Sequence, residues 1–340
     1  MSRTNKTNVP ATLLMMLSAL WQTGCVDYTI ETTLDPDGGG LRVEQMDATG
    51  DGEDAGISPE SFPDLMHTRE ADGWTHAEEV EDDGEVYHRF QRRTRIEDLS
   101  AWSELNDKVK ISGAVLDRAG KEIGYVSLGE VRFRNAIHVR RSADSDGNVS
   151  FVFRETFTWE KAVDALAEFL MKSLEDSLSA HYPEVTAEER GEIIGFARSR
   201  FWVAVDEGLF SDEGNGEEDE LLTDAAERTA HQALKTIKRR YPQAEQTVLT
   251  RLMVDALVET DERFLEFIQE DLPGLNIALN SEITFRLNMP GRVTDSNAHE
   301  RDGTTLVWEF GPGDALSAPV EVYAESVVGG GPSGRLLSSR

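Results

Sequence analysis

Residues able to act as nucleophiles, acids, bases or metal ligands are present in the sequence, but their spacing forms no familiar catalytic pattern. The seven histidines are scattered, and the HExxH, GxSxG, P-loop and GxGxxG motifs are absent from the sequence. Asp and Glu are so frequent, at 64 residues, that neighbouring carboxylates carry no information. We therefore expect no enzymatic activity and no cofactor.

One short segment has the spacing of metal ligands. Asp144, Asp146 and Asn148, with Glu155 eleven residues after Asp144, occupy several positions of a calcium-binding loop. The sixth position is Val149, where such loops need glycine for a sharp turn, and strand-like alternation follows at once. These features favour a hairpin turn, so we expect no metal site there.

A basic band stands out in an otherwise acidic chain. Residues 87–141 contain twelve Lys and Arg residues against seven Asp and Glu residues. Arginine recognises phosphate and carboxylate groups with two parallel hydrogen bonds. We expect five arginines of this band to hold an anionic ligand: Arg89, Arg92, Arg132, Arg134 and Arg140. The alternative is cross-strand pairing with glutamates on a solvated face.

The only cysteine, Cys25, ends an N-terminal segment that is typical of an export signal. The first six residues are basic and contain no acid, and the apolar run that follows, VPATLLMMLSALW, is too short to span a bilayer. The small residues Thr23 and Gly24 precede Cys25, which resembles the lipobox of bacterial lipoproteins. That resemblance implies removal of a signal peptide, residues 1–24, and lipidation of Cys25, for example with palmitate. The alternative is a secreted protein with a stray buried cysteine.

Net charge and cysteine content restrict the partners and the location. Removal of residues 1–24, which hold two bases and no acid, changes the formal net charge from −30 to −32. Such a chain is repelled by phosphate backbones, so we expect no nucleic-acid binding. With one cysteine there is no intramolecular disulfide. The lipobox resemblance implies a location in the bacterial cell envelope, on a membrane facing the periplasm or the exterior.

Residues 25–158 are predicted to form the β-rich first part of the folded body. In VDYTIETTL, the residues Tyr28, Ile30, Thr32 and Leu34 fall on one face of a strand. The segment DPDGGG then supplies a turn, and LRVEQM returns with Leu41 and Val43 as apolar residues. Further strand patterns follow at 84–96 and on both sides of ADSDGN.

Residues 159–272 are predicted to form a helical insertion. Val163, Leu166, Leu170, Leu174 and Leu178 lie on one helical stripe. Thr186 and Glu189 form a capping-box pattern that opens a second helix, and two more helices follow. Apolar residues of this part could form a partner groove, although such stripes are more often internal core: Phe196, Phe201, Trp202, Phe210, Leu252, Leu257, Phe264 and Phe267.

Residues 280–328 return to the strand period, and residues 329–340 are predicted to be a disordered tail. Ile283, Phe285, Leu287 and Met289 share one face, and Leu306, Trp308 and Phe310 share another. The predicted fold class is therefore α+β. It is a mostly antiparallel sheet body with a four-helix insertion between the early strands and the final strands, which complete the early sheet.

The closing segment, TFRLNMPGRVTDSNAHERDGTTLVW at 284–308, resembles the LppM-domain family of bacterial lipoproteins. The matching positions are Pro290, Gly291, Val293, Ser296, Asn297, Gly303, Val307 and Trp308. Pro290 and Gly291 are also the signature of a type II turn. The resemblance implies an envelope lipoprotein with a lipid-binding or glycolipid-binding role, and not an enzyme.

From these patterns we expect a non-catalytic envelope lipoprotein, anchored to the membrane through Cys25, that binds a lipid or amphiphilic ligand. The alternative is an interaction scaffold whose helical insertion docks a partner protein in an envelope complex.

Overall fold

A computed structural model describes residues 26–49, 66, 68–80, 86–112, 131–209, 218–257, 281–316 and 318–329. The chain divides into two compact units. The sheet unit contains the described residues up to 160 and from 281 onward, and the helical unit contains the described residues from 161 to 257. The predicted α+β class is confirmed, with helices between the early strands and the late strands.

The sheet unit contains a seven-stranded sheet and a five-stranded sheet. In spatial order the first consists of β10 (Glu300–Asp302), β11 (Thr305–Phe310), β8 (Ser281–Asn288), β1 (Val26–Leu34), β2 (Gly40–Thr49), β4 (Val86–Ile96) and β3 (Thr75–Val80). The second consists of β5 (Lys110–Ser112), β6 (Arg132–Ala143), β7 (Val149–Glu160), β12 (Val320–Val328) and β9 (Arg292–Ser296). The final strands therefore complete both sheets, not only the early one.

The central strand of the larger sheet is β1. It pairs antiparallel with β2 and parallel with β8, so that Val26 lies opposite both Ala48 and Ser281. The predicted DPDGGG hairpin is confirmed, because the amide nitrogen of Asp35 donates to the carbonyl oxygen of Gly39 at 2.8 Å. Alternate residues of a strand face opposite sides, and the predicted inward set of β1 is buried throughout.

One strand has the reverse of its expected orientation. In β2, Arg42 and Glu44 are fully buried and Met46 is 1% exposed, whereas Leu41 is 37% exposed. The strand itself is predicted correctly, but the two apolar residues noted in the sequence, Leu41 and Val43, do not mark the inward face. Charged residues occupy that face because the opposite sheet supplies partners for them.

Aromatic rings fill the space between the two sheets. Phe153 and Phe157 of β7 contact Phe285 of β8, each with ring centroids 6.1 Å apart. Trp102, in a short 3-10 helix, meets Phe153 edge-on at 5.9 Å. The faces predicted for β8 and β11 are confirmed, because Ile283, Phe285, Leu287, Met289, Leu306, Trp308 and Phe310 are all buried.

The helical unit consists of α1 (Ala162–His181), α2 (Ala187–Asp206), α3 (Glu218–Ile237) and α4 (Gln246–Leu257) among the described residues. The predicted capping box is confirmed: the Thr186 hydroxyl accepts from the Glu189 amide, and the Glu189 carboxylate accepts from the Thr186 amide. Leu170, Leu174 and Leu178 of the α1 stripe are buried in one core with residues of the other three helices. Within the described residues, none of the helices has the length and apolar content that crossing a bilayer requires.

Candidate functional site

The five arginines of the basic band lie on two different sheets. Arg89 and Arg92 belong to β4, and Arg132, Arg134 and Arg140 belong to β6. Strand alternation separates them further, since Arg92 faces the interior with Phe90, while Arg89 faces outward. The band is therefore three groups in space rather than one ligand-binding surface.

Arg92 is an interior residue. It is 8% exposed, and its Nη2 atom lies 2.6 Å from the Glu44 carboxylate. The same nitrogen donates to the carbonyl oxygen of Lys108 at 3.2 Å, and the guanidinium lies over the Trp74 ring at 4.8 Å. These contacts hold the guanidinium in the interior, so Arg92 supports the fold.

A buried ion network beside Arg92 was not predicted from the sequence. The guanidinium of Arg42 in β2 binds the Glu155 carboxylate in β7 through two hydrogen bonds, of 2.7 and 2.9 Å. Asn135 of β6 donates to Glu155 at 2.6 Å, and the Tyr28 hydroxyl donates to Glu44 at 3.0 Å. The network joins the two sheets through the core.

Burial and ion pairing act against each other in this network. Burial alone would lower the pKa of Arg42, but the Glu155 and Glu44 carboxylates outweigh it and raise the pKa above the ordinary value. Burial also raises the pKa of Tyr28, and the neighbouring Glu44 charge adds to that increase. Arg42 is therefore a permanent buried cation, and its two carboxylates are its counter-ions.

The outward-facing arginines make surface contacts. Arg89 pairs with Asp47 of β2 at 2.7 Å on the outer face of the seven-stranded sheet. Arg134 pairs with Glu160 of β7 at 2.8 Å, which is the cross-strand alternative considered for this band. Arg132, Arg134 and Arg140 share the outer face of β6.

The outer face of the five-stranded sheet has basic residues on one side and acidic residues on the other. Arg154 of β7 adds to the arginines of β6, and it contacts Glu321 of β12 at 3.2 Å and the Tyr323 ring at 5.5 Å. The acidic side contains Glu325 of β12 and Asp295 of β9, which are cross-strand partners. The basic half of this face, next to β6, is the part suited to an anion.

The segment with calcium-loop spacing is a hairpin turn between β6 and β7. The Asp144 carboxylate accepts from the backbone amides of Asp146 and Asn148 and from the Asn148 side chain, each at 2.9 Å. The Asn148 side-chain hydrogen bond, with these backbone bonds, lowers the pKa of Asp144. Glu155 lies in the core beside Arg42. The expected turn is confirmed.

The four fold-motif residues of the closing segment occupy turns and cross-sheet contacts. Gly291 follows the buried Pro290 and has a φ of 75°, as the turn signature predicts. The Asn297 side chain accepts from the Trp308 indole at 2.9 Å and from the Tyr323 amide at 2.9 Å. These residues hold β9, β11 and β12 together and carry no reactive group.

The apolar residues proposed for a groove in the helical unit are mostly core. Phe201, Leu252 and Leu257 are buried in the helical core, and Trp202 packs against it. Phe196 is half-buried. Phe210, Phe264 and Phe267 lie outside the described residues, as does Cys25.

Comparison with known proteins gives a weak structural similarity to a solved domain. No family model matches the chain, and no curated protein matches it. The NMR structure of the folded domain of the LppM protein of Mycobacterium tuberculosis aligns over 90% of this chain and 91% of its own. The sequence identity is 8% and the TM-score is 0.26. The similarity to LppM is therefore too low to support an inference about this chain.

Proposed function

We propose that the chain is a non-catalytic lipoprotein of the bacterial cell envelope that binds an anionic amphiphile close to the membrane. The observation that carries this proposal is the position of Val26. It directly follows Cys25, it is 4% exposed, and it begins the strand that lies between β2 and β8. A lipid on Cys25 would leave no flexible tether, so the sheet unit would be held against the bilayer.

Support for an anionic ligand comes from the outer face of β6. Arg132, Arg134 and Arg140 lie there on one strand, with Ala136 and His138 between Arg134 and Arg140, beside Arg154 of β7. A basic group of residues is a local exception on a chain whose net charge of −30 repels anions. Guanidinium groups on one face suit a phosphate or carboxylate headgroup.

The anchor is tested by replacing Cys25 with Ser and fractionating cells. The variant is expected in the soluble fraction with an unchanged far-UV circular dichroism spectrum and without incorporation of a labelled fatty acid. Thr23→Ala, which keeps a small residue before the cysteine, is the control and stays membrane-bound. Continued sedimentation of Cys25→Ser with membranes would contradict the anchor.

The ligand is tested by native mass spectrometry of residues 25–340 carrying Cys25→Ser. A co-purified amphiphile is expected on this protein and is lost from the Arg134→Gln/Arg140→Gln variant. Arg251→Gln is the control, because this side chain is 84% exposed on α4 and belongs to the helical unit. Absence of any bound amphiphile, together with no binding to a panel of anionic lipids, would contradict the proposal.

The second candidate function is docking of a partner protein by the helical unit. Val248 of α4 is 53% exposed and lines a surface groove with His181, Arg251 and Leu252. We propose that an apolar side chain of the partner packs against Val248 in this groove. A photo-crosslinking residue in place of Val248 would then capture one stoichiometric partner in cells, and the same residue at Glu192 on α2 would not.

A further inference from the structure

Two histidines and a glutamate meet on neighbouring strands of the sheet unit. The Nε2 atom of His76 in β3 lies 3.1 Å from the Nδ1 atom of His88 in β4. One ligand atom from each of His76, Glu78 and His88 lies within 4.8 Å of the other two. Glu78 is the direct cross-strand partner of His88, and His76 is the partner of Phe90. All three side chains therefore lie on the same face of the strand pair.

We propose that His76, Glu78 and His88 form a binding site for Zn²⁺. Imidazole nitrogen and carboxylate oxygen are ordinary zinc ligands, at about 2.0–2.2 Å from the ion. With tetrahedral angles, two such ligand atoms are about 3.3–3.5 Å apart. The two histidine nitrogens already have nearly this separation, and rotation of the Glu78 side chain brings its carboxylate to the same ion.

The ring of His76 is held in place before any ion binds. It stacks on Phe90 with ring centroids 4.5 Å apart and planes within 10° of parallel. Phe90 is 3% exposed, so the surface under the imidazole is part of the core. The strand ladder fixes the three backbone positions. A site on rigid, paired strands binds an ion at a lower entropic cost than a site on a loop.

The site is open to solvent and lies in an acidic part of the sequence. His76 and Glu78 are exposed and His88 is half-buried, so a hydrated ion has access to them. Residues 78–85 read EEVEDDGE, and the whole chain has a net charge of −30, which concentrates cations at its surface. Three protein ligands leave one tetrahedral position for water or a further ligand.

The two histidines distinguish this site from the numerous carboxylate groups elsewhere in the chain. Carboxylate and water groups suit Mg²⁺ and Ca²⁺, whereas imidazole nitrogen suits Zn²⁺ and other first-row transition ions. In the metal-free protein the two rings share one hydrogen bond, in which one nitrogen donates and the other accepts. Zinc would displace that proton and replace the hydrogen bond with two coordinate bonds.

The experiment uses residues 25–340 with Cys25→Ser, stripped of metal with a chelator and titrated with ZnCl₂ by isothermal titration calorimetry. One equivalent of zinc is expected with a dissociation constant in the micromolar range or below. His76→Ala and His88→Ala are each expected to weaken binding at least tenfold, and Glu78→Gln to weaken it less. His138→Ala is the matched control, because His138 is an exposed strand histidine on β6.

A spectroscopic readout separates this site from adventitious carboxylate binding. Co²⁺ in place of Zn²⁺ should give visible absorption of tetrahedral intensity that is lost in His76→Ala and His88→Ala. Circular dichroism in the presence of chelator would establish that both variants keep the fold. Weak binding of several equivalents, unchanged by either histidine substitution, would overturn the proposal.

Discussion

The indole nitrogen of Trp308 donates a 2.9 Å hydrogen bond to the side-chain oxygen of Asn297. Asn297 also accepts from the Tyr323 amide at 2.9 Å and donates to the Glu321 carbonyl oxygen at 2.7 Å. Trp308 belongs to the seven-stranded sheet, and Glu321 and Tyr323 belong to the five-stranded sheet. One amide side chain therefore links the two sheets at their closing end.

Replacement of Asn297 by Ala should destabilise the sheet unit by about 2–3 kcal/mol, since it removes three hydrogen bonds and leaves a mostly buried indole N–H without its acceptor. Trp308→Phe removes the donor together with part of the buried ring, and the cycle cancels the packing loss that is common to both backgrounds. A double-mutant cycle in urea should show a coupling free energy of about 1 kcal/mol between the two positions. Additive effects of the two substitutions would contradict a direct interaction.

Breaking the buried Arg42–Glu155 pair should be more costly. Glu155→Gln leaves the Arg42 guanidinium in the core with part of its counter-charge removed, so we expect a loss of about 3–5 kcal/mol in the free energy of unfolding. Glu321→Gln is the matched control, because its pair with Arg154 is on the surface and should contribute less than about 1 kcal/mol. The Arg42→Met/Glu155→Leu double variant should recover most of the lost stability.

Substitution is expected to have different effects at two turn glycines, Gly291 between β8 and β9 and Gly303 between β10 and β11. A Cβ atom at Gly291 would overlap the carbonyl oxygen of Val327 in β12, whereas a Cβ atom at Gly303 meets nothing within 4 Å. Both glycines have positive φ, of 75° and 62°. Gly303→Ala should therefore cost about 1–2 kcal/mol from the backbone conformation alone, and Gly291→Ala should cost clearly more. Equal losses on urea unfolding would contradict the close approach.

The capping box of α2 predicts a pH dependence of stability. The hydrogen bond from the Thr186 amide and the contact with Arg240 lower the pKa of Glu189 to about 2. A carboxylate with a lowered pKa stabilises the folded state above its unfolded pKa, about 4.3, and loses this effect as the pH falls toward 2. Glu189→Gln should therefore be less stable than the parent at pH 7, and the difference should shrink below pH 4.5.

Glu188→Gln is the control for this measurement. It removes the same charge from the same helical turn but leaves the Thr186 and Arg240 contacts in place. Urea unfolding at several pH values would compare the two variants. A difference between Glu189→Gln and the parent that does not change with pH would contradict the contribution of the ionised carboxylate.

Periodicity predicted most of the strands, the four described helices and most buried faces correctly, because apolar residues at alternate or helical spacing must cover a core, but it did not indicate β3 or β5. It could not predict the orientation of β2. Arg42 faces inward only because Glu155, 113 residues later, supplies its counter-charge there. An ion pair between residues so far apart in the sequence can be recognised only when the packing of the two sheets is known.

Spacing along the chain was also a poor guide to the candidate sites. Arg92 and Arg132 both belong to the basic band of the sequence, but they lie on different sheets. His76 and His88 are separated by eleven residues and looked unrelated, although the register of β3 and β4 brings their nitrogens to 3.1 Å. A pairing of THAEEV with VYHRF would have identified them, but the register is not fixed by the apolar pattern of these strands.

The parallel pairing of β1 with β8 has a consequence for the biogenesis of the protein. The β1–β2 hairpin is local and can form as soon as residue 49 is synthesised. The strand that pairs with the other edge of β1 is β8, which ends at Asn288. Until then one edge of β1 presents unpaired backbone groups that can capture a strand of another chain. Closing so long a loop is slow. We therefore expect the newly synthesised chain to need protection at β1, for example by a chaperone, until residues 281–288 are available to pair with it.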